Sequence, residues 1–156
     1  CPANSGTGAA TGSTATTACV AAAGYTGPNG GTPARCGTDT YKDDTGAAAC
    51  KNCPTNSGSH VNHIADELAS CLAFAGYTGS GTSVAACAAG KFKVQTPLDS
   101  TLFSATLACT DCAVNTYKGD TTQTSDTCIA CPTGKITATV GSSFLTDCTL
   151  GCGPGT

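Results

Sequence analysis

The chain has 156 residues, of which 13 are cysteine, 10 are acidic and 7 are Lys or Arg, and it contains neither Met nor Trp. Thr, Ala, Gly and Ser number 28, 25, 20 and 12, whereas Val, Ile, Leu and Phe together number only 20. So few large apolar side chains exclude a conventional hydrophobic core, and no stretch approaches the roughly 18 apolar residues of a membrane span. Seven dispersed basic residues and a net charge of −3 exclude nucleic acid as a partner.

The abundance of cysteine predicts how such a chain is stabilised. Intrinsic disorder usually accompanies a high charge density, but only 11% of the residues are charged. In the chain-entropy model, a disulfide that closes a loop of ~15 residues contributes about 3 kcal/mol. Six such loops would offset much of the conformational entropy that the thin core cannot. We therefore predict an oxidised protein that is extracellular or on the cell surface; a cytosolic zinc protein is the alternative.

Three kinds of segment repeat along the chain. C-P loops, such as Cys-Pro-Ala-Asn-Ser-Gly, begin at Cys1, Cys53 and Cys131. Aromatic-Lys loops, such as Cys-Ala-Val-Asn-Thr-Tyr-Lys, begin at Cys36, Cys87 and Cys112. A linker containing Ala-Gly-Tyr-Thr-Gly follows Cys19 and Cys71. The larger period is about 50 residues, which is typical of an array whose units pack on their neighbours.

The fold class predicted from these repeats is a small disulfide-rich repeat. We expect an elongated array of irregular β-hairpin-like loops with little helix and no large hydrophobic core. The predicted divisions are a partial repeat over 1–35 (a C-P loop plus linker), a full repeat over 36–86, a long aromatic-Lys loop over 87–111, and a third repeat over 112–156 that is truncated in its linker.

Few secondary-structure elements can be predicted with their positions. In chain order, the helical spacing of the apolar residues in His60–Leu72 predicts a helix. Short strands are predicted within Lys91–Gln95 and Lys135–Val140. The three aromatic-Lys pairs recur once per loop, which indicates packing: each ring is expected to cover a disulfide, with its lysine in water. Those pairs are Tyr41-Lys42, Phe92-Lys93 and Tyr117-Lys118.

The C-x-x-C pairs fit either zinc or disulfides. Cys109/Cys112 and Cys128/Cys131 leave 15 residues between them, a spacing that fits a zinc ribbon. Single cysteines that no zinc site would use recur throughout the chain, which favours disulfides. Connectivity cannot be proved from sequence, but the repeat suggests a sequential pattern: Cys1–Cys19, Cys36–Cys50, Cys53–Cys71, Cys87–Cys109, Cys112–Cys128 and Cys131–Cys148.

The thirteenth cysteine, Cys152, is left over. Its partner lies either in further sequence or in a second copy of the chain.

His60 and His63 are expected to be solvated, since no further ligands lie near them, and we predict no metal site and no cofactor. With one Glu and two His, acid–base chemistry has few candidates and no nucleophile–base pattern is present, so we predict no enzyme.

Modification by sugars is expected to be O-linked. No Asn-x-Ser/Thr acceptor is present, whereas Ser and Thr are dense in Thr7–Thr17 and Thr121–Thr127.

Two segments, Thr110–Lys118 (TDCAVNTYK) and Cys131–Gly134 (CPTG), resemble segments of known cysteine-rich proteins. Together with the C-x-x-C nodes and the Thr/Ala/Gly-rich background, they resemble the immobilisation-antigen surface proteins of ciliates, which are cysteine-rich repeat proteins that coat the cell and its cilia. The C-P-x-G loops resemble, more faintly, the cysteine-rich modules of growth-factor and ephrin receptor ectodomains.

Two functions from different classes follow. The first is an extracellular structural protein: a disulfide-stapled subunit of a cell-surface coat or filament that associates with copies of itself. The second is a receptor-like module that recognises a protein or a glycan. The second predicts an exposed apolar patch that breaks the repeat, for which the long loop containing Leu98, Leu102, Phe103 and Leu107 is the candidate.

Overall fold

The computed structural model describes residues 1–8, 10–60, 63–94, 108–119 and 127–151. Across these ranges, sixteen two-residue strands pair into eight antiparallel hairpins, numbered here 1 to 8. The pairs in chain order are β1 (Ser5–Gly6) with β2 (Val20–Ala21), β3 (Tyr25–Thr26) with β4 (Ala34–Arg35), β5 (Thr40–Tyr41) with β6 (Lys51–Asn52), β7 (Ser57–Gly58) with β8 (Leu72–Ala73), β9 (Tyr77–Thr78) with β10 (Ala85–Ala86), β11 (Lys91–Phe92) with β12 (Thr110–Asp111), β13 (Thr116–Tyr117) with β14 (Ile129–Ala130), and β15 (Lys135–Ile136) with β16 (Thr149–Leu150).

Helix in the described ranges is confined to single 3₁₀ turns: Thr16–Ala18, Leu68–Ser70, Gly81–Ser83 and Leu145–Asp147. The helix predicted over His60–Leu72 is therefore wrong, apart from its Leu68–Ser70 turn. Leu72 belongs to a strand, and the Ala65 carbonyl accepts the Lys42 N–H at 2.9 Å instead of a bond from within a helix. No helix in the described part of the chain is long and apolar enough to cross a membrane.

Every hairpin begins with the same turn. The residue just before the first strand has a positive φ, as at Asn4 (60°), Gly24 (78°) and Asn115 (67°). A positive φ at the third position of a β-turn defines type II geometry, which Gly and Asn adopt at least cost. The turn is closed by a backbone bond, for example from Ser57 N–H to the Pro54 carbonyl at 3.1 Å. The short Asn/Gly/Asp signals in the sequence thus mark where each hairpin starts.

Disulfides close six of these hairpins. One cysteine lies four residues before the first strand and the other lies directly before the second strand. The Cα–Cα distances run from 5.3 to 5.8 Å, within the range usual for disulfides. The pairs are Cys1–Cys19, Cys36–Cys50, Cys53–Cys71, Cys87–Cys109, Cys112–Cys128 and Cys131–Cys148.

Hairpins 2 and 5 have the same frame, that is, the same spacing of turn and strands, but lack the disulfide. Ala21 and Pro33 occupy the two cysteine positions of hairpin 2, and Ala73 and Val84 occupy those of hairpin 5. The register is unchanged, since Tyr77 lies opposite Ala86 as Lys91 lies opposite Asp111. These two hairpins are the Ala-Gly-Tyr-Thr-Gly linkers of the sequence, and they are members of the repeat rather than spacers.

Backbone hydrogen bonds link several hairpins to their successors. The N–H of the left-handed turn residue donates to the next hairpin: Gly24 to the Lys42 carbonyl at 2.8 Å, and Gly90 to the Lys118 carbonyl at 2.9 Å. A glycine suits these two positions because a Cβ would overlap the Ile64 side chain at Gly24 and the Gly141 carbonyl oxygen at Gly90. The array is therefore held by the main chain, with little demand on large apolar side chains.

The described residues divide into two compact units. One comprises Cys1–Leu72 with Ser80–Val84, and the other comprises Ala73–Gly79 with Ala85–Thr156. Each contains three disulfides. The repeat divisions expected at 35/36, 86/87 and 111/112 stay a prediction.

The core consists of cystines and small side chains. The fully or nearly fully buried apolar residues are cysteines and alanines, such as Cys71 (0% exposed) and Ala21 (2% exposed). The fold class predicted from the sequence, a small disulfide-rich repeat of hairpin-like loops with little helix, is confirmed.

The shared frame of the hairpins predicts that a missing disulfide can be installed. We expect the double variant Ala73→Cys/Val84→Cys to form a further intramolecular bond and to raise the free energy of unfolding by about 3 kcal/mol. Thiol titration and denaturant unfolding would measure both effects. The single variant Ala73→Cys is the control. Two more titratable thiols in the oxidised double variant than in the wild type would contradict the assignment of hairpin 5 to the frame.

Candidate interaction surface

Two lysines of the aromatic-Lys loops, Lys42 and Lys118, are buried and the third, Lys93, is half-buried, so the expectation that they lie in water is wrong. Lys42 and Lys118 are each 0% exposed. The Lys42 ammonium donates to the carbonyls of Asp44 and Gly46 at 2.9 Å each and lies 3.3 Å from the Asp44 carboxylate. Lys93 reaches the Ala73 carbonyl at 2.8 Å. Burying an ammonium is costly unless it is hydrogen-bonded, and the carbonyls supply those bonds.

Lys118 joins three hairpins. Its ammonium donates to the Lys91 carbonyl of hairpin 6 at 2.9 Å, and its own carbonyl accepts the Gly90 N–H. Its N–H donates to the Ser142 carbonyl of hairpin 8 at 3.1 Å. Burial of the ammonium lowers the pKa of Lys118 because the charged form loses its hydration. The Lys118 side chain thus ties hairpin 7 to hairpin 6, and its backbone N–H holds the 138–147 loop.

The 138–147 loop is fixed at several other points. The Gly141 N–H donates to the Cys112 carbonyl at 2.8 Å. The Asp147 carboxylate accepts the N–H groups of Ser143 and Phe144, both at 2.9 Å, and so caps the Leu145–Asp147 turn. Gly90 approaches so closely that a Cβ placed on it would overlap the Gly141 carbonyl oxygen. The loop is held by backbone contacts and does not need an apolar core beneath it.

This fixed loop presents large apolar side chains to solvent. Phe144 is 61% exposed, Leu145 is 50% exposed and Val140 is 60% exposed. Leu150, on the last strand of the same hairpin, is 78% exposed. The residues Ala138, Thr139, Gly141, Ser142, Ser143, Phe144 and Asp147 line a shallow, open depression beside them. We call Val140, Phe144, Leu145 and Leu150 the hairpin 8 patch.

Hairpin 4 shows which residues cover the position that Leu145 has in hairpin 8. Leu68 lies three residues before Cys71, as Leu145 lies three residues before Cys148. A Cβ built on Gly81 would lie 3.3 Å from Leu68 Cγ, and the Gly81 N–H donates to the Cys71 carbonyl at 2.9 Å. Gly30 makes the same bond to the Cys19 carbonyl at 2.8 Å. In hairpins 1 and 4 the surface next to the 3₁₀ turn is thus covered by the loop of the following hairpin.

The exposed charges form local pairs. Lys91 bonds Asp111 across strands at 2.6 Å. Lys51 pairs with Asp43, and this hydrogen bond lowers the pKa of Asp43 and raises that of Lys51. Exposed pairs of this kind contribute little to stability, and we assign them no functional role.

The structure pairs all twelve cysteines of the predicted ladder as the sequential pattern has them, including the six in C-x-x-C motifs. Among the described residues no group of three or more His, Cys, Asp or Glu is arranged to hold a metal. His63 is exposed, but His60 is only 7% exposed, so the expectation that both histidines are solvated is wrong for His60. Cys152 lies outside the described residues, as do Leu98, Leu102, Phe103 and Leu107.

Sequence reasoning missed the hairpin 8 patch. Its signal was available in the alignment of the C-P loops, because Leu145 matches Leu68 relative to the next cysteine. Phe144 occupies the place of Glu67 and Ala15 in the other two C-P loops. An aromatic side chain where the repeat otherwise has a small or charged residue was the available cue.

Comparison with known proteins gives one family match. Residues 101–148 match the model of the tyrosine-protein kinase ephrin type A/B receptor-like family. The matched stretch includes hairpin 7 and most of hairpin 8, with Phe144 and Leu145. The match supports the fainter of the two resemblances, to receptor cysteine-rich modules, and no comparison supports the resemblance to ciliate immobilisation antigens. No curated protein and no solved structure matches the chain.

The match and the disulfides together characterise the chain as a cysteine-rich module of extracellular type. The matched family is one of receptor-like modules and is not an enzyme family. Six disulfides in 156 residues are typical of an oxidising compartment.

The close approach at Gly90 predicts how the 138–147 loop can be released. Gly90 and Gly134 have similar left-handed φ values, 74° and 81°, but no atom lies within 4 Å of a Cβ built on Gly134. Gly134→Ala should cost about 1 kcal/mol from backbone strain alone. Gly90→Ala should cost clearly more, about 2 kcal/mol or above. Equal losses in denaturant unfolding would contradict the contact between Gly90 and Gly141.

The burial of Lys118 predicts a pH dependence. The folded protein releases the Lys118 proton at a lower pH than the unfolded chain, whose lysines keep the ordinary value near 10.5. Between those two values the unfolded state binds more protons, so stability rises with pH. The unfolding free energy of the wild type, relative to Lys118→Met, should therefore increase as the pH rises toward the ordinary lysine pKa near 10.5. A difference that falls over this range would show that the ammonium is favourably solvated in the folded state.

Proposed function

We propose that the protein is an extracellular structural subunit, a component of a cell-surface coat or filament that associates with copies of itself. The observation that carries this proposal is the hairpin 8 patch. It lies on a loop fixed by Lys118, Asp147 and Gly141, at a position that an adjoining hairpin covers in hairpins 1 and 4.

The occupant of the patch is a hairpin of the same kind from a second copy. The covering contact elsewhere in the chain uses a glycine N–H that donates to a cysteine carbonyl, as Gly81 does to Cys71. The corresponding Cys148 carbonyl lies beside Leu145. Apolar surface that is removed from water contributes ~25 cal/mol per Å² to the free energy of association. The hydrogen bond fixes the register between the two hairpins. The contact that joins hairpins within the chain can therefore also join hairpins of two copies.

The rest of the molecule suits a mechanical role. Six closed loops restrict the unfolded chain, and the small neutral side chains leave few charged or aromatic groups for a specific ligand. A contact between unlike surfaces of two copies generates a ring where the rotation closes and an open filament where it does not.

A receptor-like binding module is the second candidate, and the family match favours it. The stretch that resembles the ephrin-receptor family, 101–148, includes Phe144 and Leu145. In this alternative the patch binds a different protein, and copies of the chain do not associate.

The two candidates are separated by the state of the oxidised chain in solution. We expect sedimentation velocity to show association that increases with protein concentration. The double variant Phe144→Ser/Leu145→Ser should be monomeric, because the apolar contact is lost while the fold, held by the disulfides, is kept.

A matched control makes the result specific to the patch. Val114 and Ile129 are 49% and 41% exposed on hairpin 7, so Val114→Ser/Ile129→Ser removes similar side chains elsewhere. This variant should associate like the wild type. A wild type that is monomeric at its highest soluble concentration would overturn the structural proposal and leave the receptor-like candidate.

A further inference from the structure

Hydroxyl groups fall into two classes in this molecule. In the turns, Ser5, Ser57 and Thr116 donate to the carbonyl three residues earlier at 2.6 to 2.8 Å. Thr26 donates to the Ala48 carbonyl at 2.9 Å. These hydroxyls belong to the hydrogen bonding of the fold and are not available to another molecule.

The loop of hairpin 1 contains the second class. Five side chains within residues 10–17 are exposed and make no hydrogen bond to any other described residue: Thr11, Ser13, Thr14, Thr16 and Thr17. Their neighbours are only Ala and Gly. The backbone at Ala15 is extended, with φ −84° and ψ 136°. Five side-chain hydroxyls are therefore exposed to water, although the Gly30 loop lies against the backbone of Thr16 and Thr17.

The corresponding loops of the other two C-P hairpins are different. In hairpin 4 the corresponding residues, 63–69, contain no Ser or Thr. In hairpin 8 the corresponding Ser142 is 7% exposed and donates to the Thr139 carbonyl at 3.1 Å. The exposed hydroxyl row is thus a property of hairpin 1 and is not imposed by the repeat.

Charge adds an independent reason. The first 34 residues contain no Asp, Glu, Lys, Arg or His, and Arg35 is the first charged side chain. Surfaces with little charge tend to associate and precipitate. A neutral, strongly hydrated substituent on these hydroxyls would keep the segment in water without introducing charge.

We infer that residues 11–17 form a modification segment whose Thr and Ser hydroxyls bear O-linked sugars. In this reaction the hydroxyl oxygen forms a bond to the anomeric carbon of a sugar that is activated on a nucleotide or lipid phosphate. The bond from that carbon to the phosphate oxygen breaks and the phosphate leaves with the electron pair. The hydroxyl proton passes to a base of the transferase. The inference needs an extracellular route but does not depend on association through the hairpin 8 patch.

The test is site mapping on protein purified from its own cells. After reduction and alkylation, trypsin cleaves after Arg35 and leaves residues 1–35 in one peptide, since no Lys or Arg lies between Cys1 and Arg35. We expect its mass to exceed that of the polypeptide by whole hexose or N-acetylhexosamine residues. Fragmentation that preserves side-chain groups should place them on Thr11, Ser13, Thr14, Thr16 or Thr17.

The same peptide contains its own controls, because Ser5 and Thr26 should be unmodified. A variant with all five hydroxyl residues changed to Ala should lose the added mass, whereas Thr116→Ala should keep it. An unmodified Cys1–Arg35 peptide, or sugars confined to Ser5 and Thr26, would overturn the inference. Either result is separate from the sedimentation experiment, so each proposal fails on its own.

Discussion

Each hairpin in the described ranges has a ladder only two residues long on each side, and in six of the eight the constraint that keeps it closed is the disulfide at its base. A two-stranded hairpin is marginally stable in water. Here the cysteine four residues before the first strand is bonded to the cysteine that precedes the second strand, as in Cys87–Cys109. The turn between cysteine and strand then needs a left-handed residue, which explains the Asn, Asp or Gly three residues after each such cysteine.

Once the hairpins are closed, backbone hydrogen bonds hold them against one another, as a hydrophobic core does in other domains. The turn glycine donates to the next hairpin, and the lysine at that contact is drawn inside because its ammonium can reach carbonyls of its own hairpin or of the one before. Lys118 shows why this replaces apolar packing: one side chain and its own peptide groups connect hairpins 6, 7 and 8. The cost is a buried charge, which is reflected in its lowered pKa.

The proposed functions use the parts of the surface that this scheme does not occupy. Backbone contacts fix the 138–147 loop so firmly that Phe144 and Leu145 are not needed to fold it, and they remain on the outside. The hydroxyls of residues 11–17 are likewise unused by the fold of hairpin 1. In both places the exposed side chains make no contact that closes or stacks the hairpins, which is why these regions and not the disulfide nodes are the candidates for interaction and modification.

The sequence by itself determined the class of the molecule: cysteine spacing and the scarcity of large apolar residues require covalent closure of many small loops. The turn positions follow from it too, because only Gly, Asn and Asp tolerate the left-handed backbone at low cost. Only the tertiary structure decided that the lysines are buried, since a Tyr-Lys pair contains no sign that carbonyls of distant residues will surround the ammonium. It also decided that His60–Leu72 contains a single 3₁₀ turn, because the Ala65 carbonyl is taken by Lys42 from another hairpin. The exposure of Phe144 and the availability of the hairpin 1 hydroxyls depend in the same way on which neighbour lies against each loop, and local sequence does not specify that neighbour.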